Sequence, residues 1–143
     1  KDVPSIPFVH WQLIPPTGKE PDPSVKQFSI EAYQELLWHM LLRGHDTFFL
    51  WCPQNDTGKE LPQLHEVYAA SLEYADFLTE GGPVTFDVPK QQGPVISGVR
   101  LGNKVLVRRT DFDASRAPVH LAVGTQAIDV PRADGTCQII EIP

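Results

Sequence analysis

The chain has 143 residues, of which 41% are hydrophobic and 21% are charged, and its formal net charge is −6. This composition is typical of one ordinary globular domain, or of two small pieces that share a core, and excludes a disordered chain. The acidic residues are dispersed and no run of Lys and Arg occurs. We therefore expect no nucleic-acid partner and no binding to an anionic membrane. No apolar stretch approaches the roughly 18 residues of a membrane span.

The two cysteines, Cys52 and Cys137, lie in different halves of the chain, without close spacing and without a Cys/His cluster. They predict neither a zinc knuckle nor a disulfide framework, so we expect buried free thiols and no cofactor. The chain begins Lys1-Asp2-Val3, without an initiator Met and without a signal-peptide pattern. We therefore expect it to be a piece of a longer protein.

The first half of the sequence predicts two strand–helix units. The mostly apolar run 6–14 predicts a strand, and the proline-rich segment 15–28 predicts a long loop. A helix follows, with Ser29 as its N-cap and Gly44 as the glycine that ends it. The short apolar run 47–52 then predicts a buried strand of the kind found in parallel sheets.

A second helix is predicted to begin near Leu61 and Pro62 and to end at Gly81 and Gly82. Two consecutive strand–helix units imply a right-handed parallel layer. Two strands alone cannot bury both faces of such a layer, which needs helices on its faces or closure into a barrel. The apolar positions predicted to form the core face of this helix are Leu64, Val67, Tyr68, Leu72, Ala75 and Leu78.

After Gly82 the pattern changes to short β-branched runs that are separated by Gly, Pro and Asp. Gly102-Asn103 is a two-residue hairpin signal, and the register that it sets places Val99 opposite Leu106. We therefore predict an α/β segment over residues 1–82, formed by two β-α units of a parallel sheet or barrel end, and a small antiparallel β-sandwich over residues 83–143. The predicted strands are 83–88, 95–101, 104–110, 119–123, 127–130 and 138–142.

This order of elements resembles the C-terminal part of a (β/α)8-barrel glycoside hydrolase together with its C-terminal β-sandwich domain. The segments 36–44 and 48–53 look like the last helix between strands and the last barrel strand. The runs 119–124 and 139–143 look like the ending of the sandwich domain. The resemblance covers the whole chain in element order and includes no signature motif.

The resemblance implies a carbohydrate-binding site at the carboxyl ends of the barrel strands. The residues at those ends are His10, Trp11 and Gln12 after the first strand, and Trp51 and Gln54 at the second. A tryptophan at a barrel strand end would offer its indole face to a sugar ring. Neither strand end carries the paired carboxylates that glycosidases need, so we expect this chain alone to be inactive. Asp56 and Glu60 are read as solvated loop charges.

Each of these residues also has a structural interpretation. Trp11 and Trp51 are either sugar platforms or core aromatics, and His10 is either a substrate contact or a histidine bonded to a backbone carbonyl. His39 and Arg43, one helical turn apart, are read with His45 as an exposed polar cluster that caps a helix.

Adjacent Arg108 and Arg109 must point to opposite faces of a regular strand. They either help to form an anion site or make ion pairs, and a bridge from one of them to Glu73, Asp76 or Glu80 would join the two halves.

A different class of function stays open alongside the enzyme interpretation. Two strands that are not part of a closed sheet, together with leucine-rich helices, leave apolar surface whose exposure to water is unfavourable. The chain is then a non-catalytic interaction or oligomerisation module, which pairs with a missing upstream domain or with a second copy of itself.

Overall fold

The computed structural model describes residues 4–11, 28–50, 57–86, 93–114 and 117–143. The first half contains strand β1 (Phe8–Val9), helix α1 (Ile30–Leu42), strand β2 (Phe49–Leu50) and helix α2 (Thr57–Ser71). A 3₁₀ turn (Leu72–Tyr74) and the short helix α3 (Ala75–Glu80) follow. The second half contains the strands β3 (Gly82–Pro83), β4 (Val95–Leu101), β5 (Lys104–Thr110), β6 (Val119–Val123), β7 (Gln126–Val130) and β8 (Cys137–Glu141).

The strands β1 and β2 form a parallel pair, in which Phe8 lies beside Phe49 and Val9 beside Leu50. An α/β start followed by a mostly β segment is therefore confirmed at this coarse level. Within the described residues the parallel sheet has these two short strands and no barrel unit. The strand predicted over residues 47–52 begins only at Phe49 in the structure, and Trp51 and Cys52 lie outside the described residues.

Helix α1 begins and ends where its sequence predicts. The side chain of Ser29 accepts a hydrogen bond from the Ala32 N–H at 3.1 Å, which satisfies one of the free donors of the first turn. Gly44 follows the last turn with a φ of 86°, a conformation that glycine adopts without strain. The buried residues of the helix are Tyr33, Leu37, Trp38, His39 and Leu42.

Helix α2 begins earlier than its sequence predicts, and its buried face is different. Thr57 is its first residue, so Pro62 lies inside the helix and not in its first turn. Glu60, Val67 and Ser71 are buried, whereas Tyr68 and Leu72 are exposed. The predicted core positions 68 and 72 are therefore wrong. Residues 60, 64, 67 and 71 recur at the helical spacing and form the true inner face.

The second half is built on a four-stranded antiparallel sheet in the order β3-β4-β5-β8. The turn between β4 and β5 is the predicted two-residue one, with Gly102 at a φ of 60° in the position where a type II′ turn needs glycine. Val99 pairs with Leu106 as predicted. Side chains alternate between the two faces of the sheet, so this register decides which of them faces the helices.

The hairpin of β6 and β7 covers one face of the sheet in a sandwich-like arrangement. Val105 and Val107 of β5 lie in one buried cluster with residues of the hairpin. Arg109 shares that face, where its Nη1 donates to the carbonyl of Val130 at 2.7 Å and its Nη2 lies 2.8 Å from Asp111. The other members of the cluster are Leu121, Val123, Ile128, Val130 and Ile142.

Helix α1 packs on the opposite face of the same sheet. Leu42 lies in a buried cluster with Val99 and Leu106, while Tyr33 and Leu37 of the same helix pack with Val9 of β1. The helix therefore buries one side against the parallel pair and another against the antiparallel sheet. This arrangement fixes the carboxyl end of β1 relative to the rest of the molecule.

Candidate functional site

The best described part of the predicted site is the carboxyl end of β1, where a buried carboxylate meets His10 and Trp11. Glu60 lies in the first turn of α2 and its side chain is 0% exposed. Its Oε1 lies 3.1 Å from His10 Nδ1 and also accepts the backbone N–H of Trp11. The strand end and the helix start are thus joined through one carboxylate oxygen.

The contact with Glu60 decides which tautomer a neutral His10 ring adopts. A carboxylate has only acceptors, so the Nδ1 atom carries a hydrogen, and in the neutral imidazole Nε2 carries the lone pair. Nε2 is buried and has no hydrogen-bond partner within the described part of the chain. The sequence predicts either a substrate contact or a bond to a backbone carbonyl. The structure gives His10 a carboxylate partner at Nδ1 and leaves the buried Nε2 unsatisfied within the described residues.

Trp11 is half-buried and packs on the helix behind it. Its ring meets Tyr33 of α1 edge-on, with the centroids 5.6 Å apart and an interplanar angle of 76°. Such an edge-to-face pair holds the indole in one orientation. The other residues predicted for the site, which are Gln12, Trp51 and Gln54, lie outside the described residues.

Glu60 is not the solvated loop charge that is predicted from the sequence. That prediction is wrong because it depends on a helix start at Leu61 and Pro62, whereas the helix begins at Thr57. Extending the helical phase back by one turn from Leu64, Val67 and Ser71 brings Glu60 onto the same inner face. That spacing indicates the buried position of Glu60, but Pro62 indicates a helix start that would leave Glu60 outside the helix.

A second polar cluster joins α1 to the sheet, and its hydrogen bonds form one continuous chain. Arg43 Nε donates to Ser97 Oγ at 2.9 Å, and the Ser97 hydroxyl lies 2.8 Å from His39 Nδ1. On the other side of the ring, His39 Nε2 lies 2.8 Å from Thr110 Oγ1, which donates to Glu35. Thr110 spends its one hydrogen on Glu35, so it accepts from His39 and a hydrogen lies on Nε2. Burial lowers the pKa of His39 to about 4, so at neutral pH the ring is neutral and Nδ1 accepts from the Ser97 hydroxyl.

The chain of bonds ends in an ion pair between Glu35 and Arg108. Arg108 uses two nitrogens on the two carboxylate oxygens, and its guanidinium carbon lies 4.8 Å from the centre of the Trp38 ring. Arg108 and Arg109 do point to opposite faces of β5, as predicted. The partner that joins the halves is Glu35 of α1, however, and the expected bridge to Glu73, Asp76 or Glu80 is wrong for Arg108.

The expectation that His39 and Arg43 form an exposed capping cluster is also wrong for His39. Its side chain is buried, because α1 turns this position towards the sheet and not towards solvent. Burial lowers the pKa of His39 to about 4; the nearby Glu35 opposes this change, while Arg108 and Arg43 add to it. For Glu35, burial alone would raise the pKa, but the hydrogen bonds from Arg108 and Thr110 lower it below its ordinary value.

The same cluster brings a serine, a histidine and a glutamate together, which invites comparison with a catalytic triad. Ser97 is 0% exposed, however, and its oxygen already accepts from Arg43. A nucleophile needs an open approach for the reacting carbonyl, and the Glu35 carboxylate is 4.0 Å from the imidazole. The cluster therefore holds α1 on the sheet and has no nucleophile within reach of a substrate.

Other kinds of site find no support in the described ranges. No group of three or more His, Cys, Asp or Glu side chains there is arranged to bind a metal ion. No described helix is long and apolar enough to cross a membrane. A cavity of about 300 Å³ lies between α3 and the sheet, and none of the predicted site residues lines it. Its lining residues are Glu73, Tyr74, Asp76, Phe77, Leu101, Lys104 and Ile139.

Comparison with protein-family models, with curated proteins and with solved structures found no match to this chain. Any assignment of function therefore depends on the geometry of the chain itself.

Proposed function

We propose that this chain is the C-terminal part of a carbohydrate-active α/β-barrel hydrolase. It would contribute one wall of the sugar cleft and a stabilising β domain, and it is not catalytically complete alone. One observation carries the proposal: among the described residues, helices pack on one face of the parallel pair and not on the other. Phe8 and Phe49 on the other face are 65% and 53% exposed, with ring centroids 4.9 Å apart.

The alternation of side chains along the two strands explains why this observation points to a barrel. Val9 and Leu50 turn towards the helices and pack with Tyr33 and Leu37. Phe8 and Phe49 turn the other way. In a (β/α)8 barrel the outward residues of each strand meet the helices, and the inward ones fill the interior in layers. Two bulky aromatic side chains side by side are suited to such an interior layer.

The outer surface of α2 supports the same proposal. Gln63 and Glu66 are on the flank that faces α1, since both accept hydrogen bonds from the Gln34 side chain at 2.7 Å. Tyr68 of α2 and Leu72 of the following 3₁₀ turn continue the opposite flank, and they are 66% and 57% exposed. In a barrel the next helix packs on that flank, and the next strand pairs with the edge of β2 that has no neighbouring strand among the described residues.

The carbohydrate part of the proposal depends on the residues at the carboxyl end of β1. Trp11 supplies an aromatic surface and His10 an unsatisfied polar atom at the edge where barrel enzymes bind their substrates. Glu60 accepts hydrogen bonds from two N–H groups there. It is a single carboxylate, whereas glycoside hydrolysis uses a pair of carboxylates. The catalytic pair is therefore proposed to lie on earlier strands of a longer protein.

The proposal is tested with the longer gene product and with the chain alone. We expect the longer product to hydrolyse one of a panel of neutral oligosaccharides, such as cellohexaose, xylohexaose and mannohexaose, and the chain alone to hydrolyse none. Trp11→Ala should weaken binding about tenfold or more in the longer product, because one indole stacks on one sugar ring. Trp38→Phe is the control, since Trp38 is buried under Arg108. A longer product that neither binds nor cleaves any of these glycans would contradict the proposal.

The alternative function is a protein-interaction or oligomerisation module, and the exposed flank of α2 is the observation that favours it. In this alternative, Leu61, Tyr68 and Leu72 form an apolar stripe that binds another copy of the chain. Sedimentation velocity at micromolar concentration distinguishes the two. A dimer that Tyr68→Lys with Leu72→Lys returns to a monomer would support the module, and a stable wild-type monomer would argue against it.

A further inference from the structure

His10 has one ring nitrogen that the chain satisfies and one that it does not. Nδ1 is held by Glu60 Oε1 at 3.1 Å. Nε2, on the other side of the ring, is buried and finds no donor among the described residues. The His10 side chain as a whole is 14% exposed, so the ring is close to the surface.

The partner of Nδ1 decides the chemistry of Nε2. Glu60 Oε1 accepts from both the Trp11 N–H and His10 Nδ1, so the imidazole hydrogen is on Nδ1. In the neutral imidazole, Nε2 is then a pure acceptor with its lone pair directed away from the carboxylate. The same arrangement, a carboxylate behind an imidazole, fixes the tautomer of histidines that bind metals or act on substrates.

A buried acceptor without a donor is unfavourable for folding, and each such group in a native structure calls for an explanation. Here the atom lies one residue after β1, beside Trp11, at the strand end where the proposed sugar cleft would be. The unsatisfied acceptor and the neighbouring aromatic ring therefore suit the same kind of ligand, one with a hydroxyl group and an apolar face.

We propose that His10 Nε2 accepts a hydrogen bond from a hydroxyl group of a neutral carbohydrate ligand, with Glu60 as the positioning residue that holds the imidazole in the accepting tautomer. This inference deepens the proposed function and depends on it for the identity of the ligand. It also assigns a polarity: a ligand group that has only acceptors, such as a carboxylate or a phosphate, leaves Nε2 unsatisfied.

The tautomer is tested first, by ¹⁵N NMR of the imidazole nitrogens in the chain. The His10 resonances are identified by their absence from the spectrum of His10→Asn. We expect Nδ1 to be protonated and Nε2 to be unprotonated in the wild type. Glu60→Gln should keep this state, because the amide oxygen still accepts both N–H groups, whereas Glu60→Leu should lose it. A wild-type Nε2 that carries the hydrogen would overturn the inference, whether or not either variant folds.

The ligand is tested next, by following the Nε2 resonance while neutral oligosaccharides are added to the longer gene product. Cellohexaose, xylohexaose and mannohexaose are the probes, and glycerol at high concentration supplies a hydroxyl without a sugar ring. A shift of Nε2 with a bound oligosaccharide supports the inference. Binding of an oligosaccharide with no shift overturns the inference but leaves the proposed function intact.

The remaining outcomes show whether the acceptor role of His10 can stand when the proposed carbohydrate function fails. If no oligosaccharide binds but glycerol shifts Nε2, the acceptor role stands and the carbohydrate function is contradicted. If neither the oligosaccharides nor glycerol shift Nε2, the acceptor role is overturned. Glu60→Gln serves as the conservative variant: it should bind the same probe within about threefold of wild type, whereas Glu60→Leu should lose at least about tenfold.

Discussion

Arg108 on β5 and Glu35 on α1 form a two-pronged ion pair, with Arg108 Nη2 2.5 Å from Glu35 Oε1 and Arg108 Nε 3.0 Å from Oε2. The pair lies between the α/β part and the β part of the chain. Burial lowers the pKa of the guanidinium, but its hydrogen bonds to Glu35 and to Cys137 reverse this and raise the pKa overall. The two halves are thus joined by a charge pair in a largely water-excluded place.

Removing Arg108 should destabilise the chain. We expect Arg108→Met to reduce the free energy of unfolding by about 2–3 kcal/mol, because it leaves the half-buried Glu35 carboxylate without its partner. Urea denaturation at neutral pH measures this loss. Arg100→Met is the control, since Arg100 lies on the adjacent strand, is exposed, and donates to the Gly102 carbonyl. Equal losses from the two variants would show that the ion pair does not join the halves.

The stability should fall as the pH falls from about 6.5 to about 4. The pKa of His39 is about 4 in the folded state and 6.5 in the unfolded state, so the unfolded chain binds the extra proton in this window. The contribution of His39 is fully present above pH 6.5. About 2–3 kcal/mol of it is lost by pH 4.5, because each pKa unit corresponds to about 1.4 kcal/mol.

His39→Gln tests the pH effect directly. Glutamine can still bond to the hydroxyls of Ser97 and Thr110 but has no proton to gain. The variant should therefore show a smaller loss of unfolding free energy between pH 7 and pH 4.5 than the wild type does. Denaturation midpoints at both pH values supply the comparison, and parallel losses in the two proteins would assign the acid sensitivity to other groups.

Gly81 should not tolerate a side chain, whereas the neighbouring Gly82 should tolerate one. A Cβ atom at Gly81 would lie 2.4 Å from the Phe77 carbonyl oxygen and 2.5 Å from a methyl of Val99, whereas none of the described atoms lies within 4 Å of one at Gly82. We expect Gly81→Ala to lower the unfolding free energy by about 1–3 kcal/mol through overpacking. Gly82→Ala is the matched control and should be nearly neutral. Thermal unfolding of the two variants provides the test.

Two residues that pair on the adjacent strands β5 and β8 should contribute differently to the free energy of unfolding. Leu106 is completely buried, while Ile139, its partner on β8, is half exposed. Leu106→Ala should cost about 2–5 kcal/mol because it leaves a cavity between the sheet and α1. Ile139→Ala should cost clearly less. If chemical denaturation gave the two variants the same stability, the packing of α1 on this face of the sheet would be wrong.

The local rules of the sequence predicted much of this fold. The cap at Ser29, the glycine after α1 and the hairpin at Gly102 each depend on one or two residues, and all three are present. The face that α2 buries was predicted wrongly, because Pro62 suggested a helix start and the turn at Leu72 changes the helical phase. The remaining features, such as which helix face is buried, depend on contacts between residues that are distant in sequence.

The candidate site shows the same limit in chemical terms. His10 and Trp11 were predicted from their place at the end of a strand. Their partner Glu60 is 50 residues from His10 in sequence, and only the packing of α2 on β1 brings them together. For the same reason, His39 looked like an exposed helix residue, although Ser97, which it contacts on the sheet, lies 58 residues later.

The central claim is that the parallel pair of β1 and β2 belongs to a larger α/β structure that covers Phe8 and Phe49. Reading the coding sequence upstream of Lys1 tests this claim most directly. We predict about six further strand–helix units, with two carboxylates at strand ends. An upstream sequence without the alternating strand and helix pattern would contradict the claim, and the proposed carbohydrate function with it.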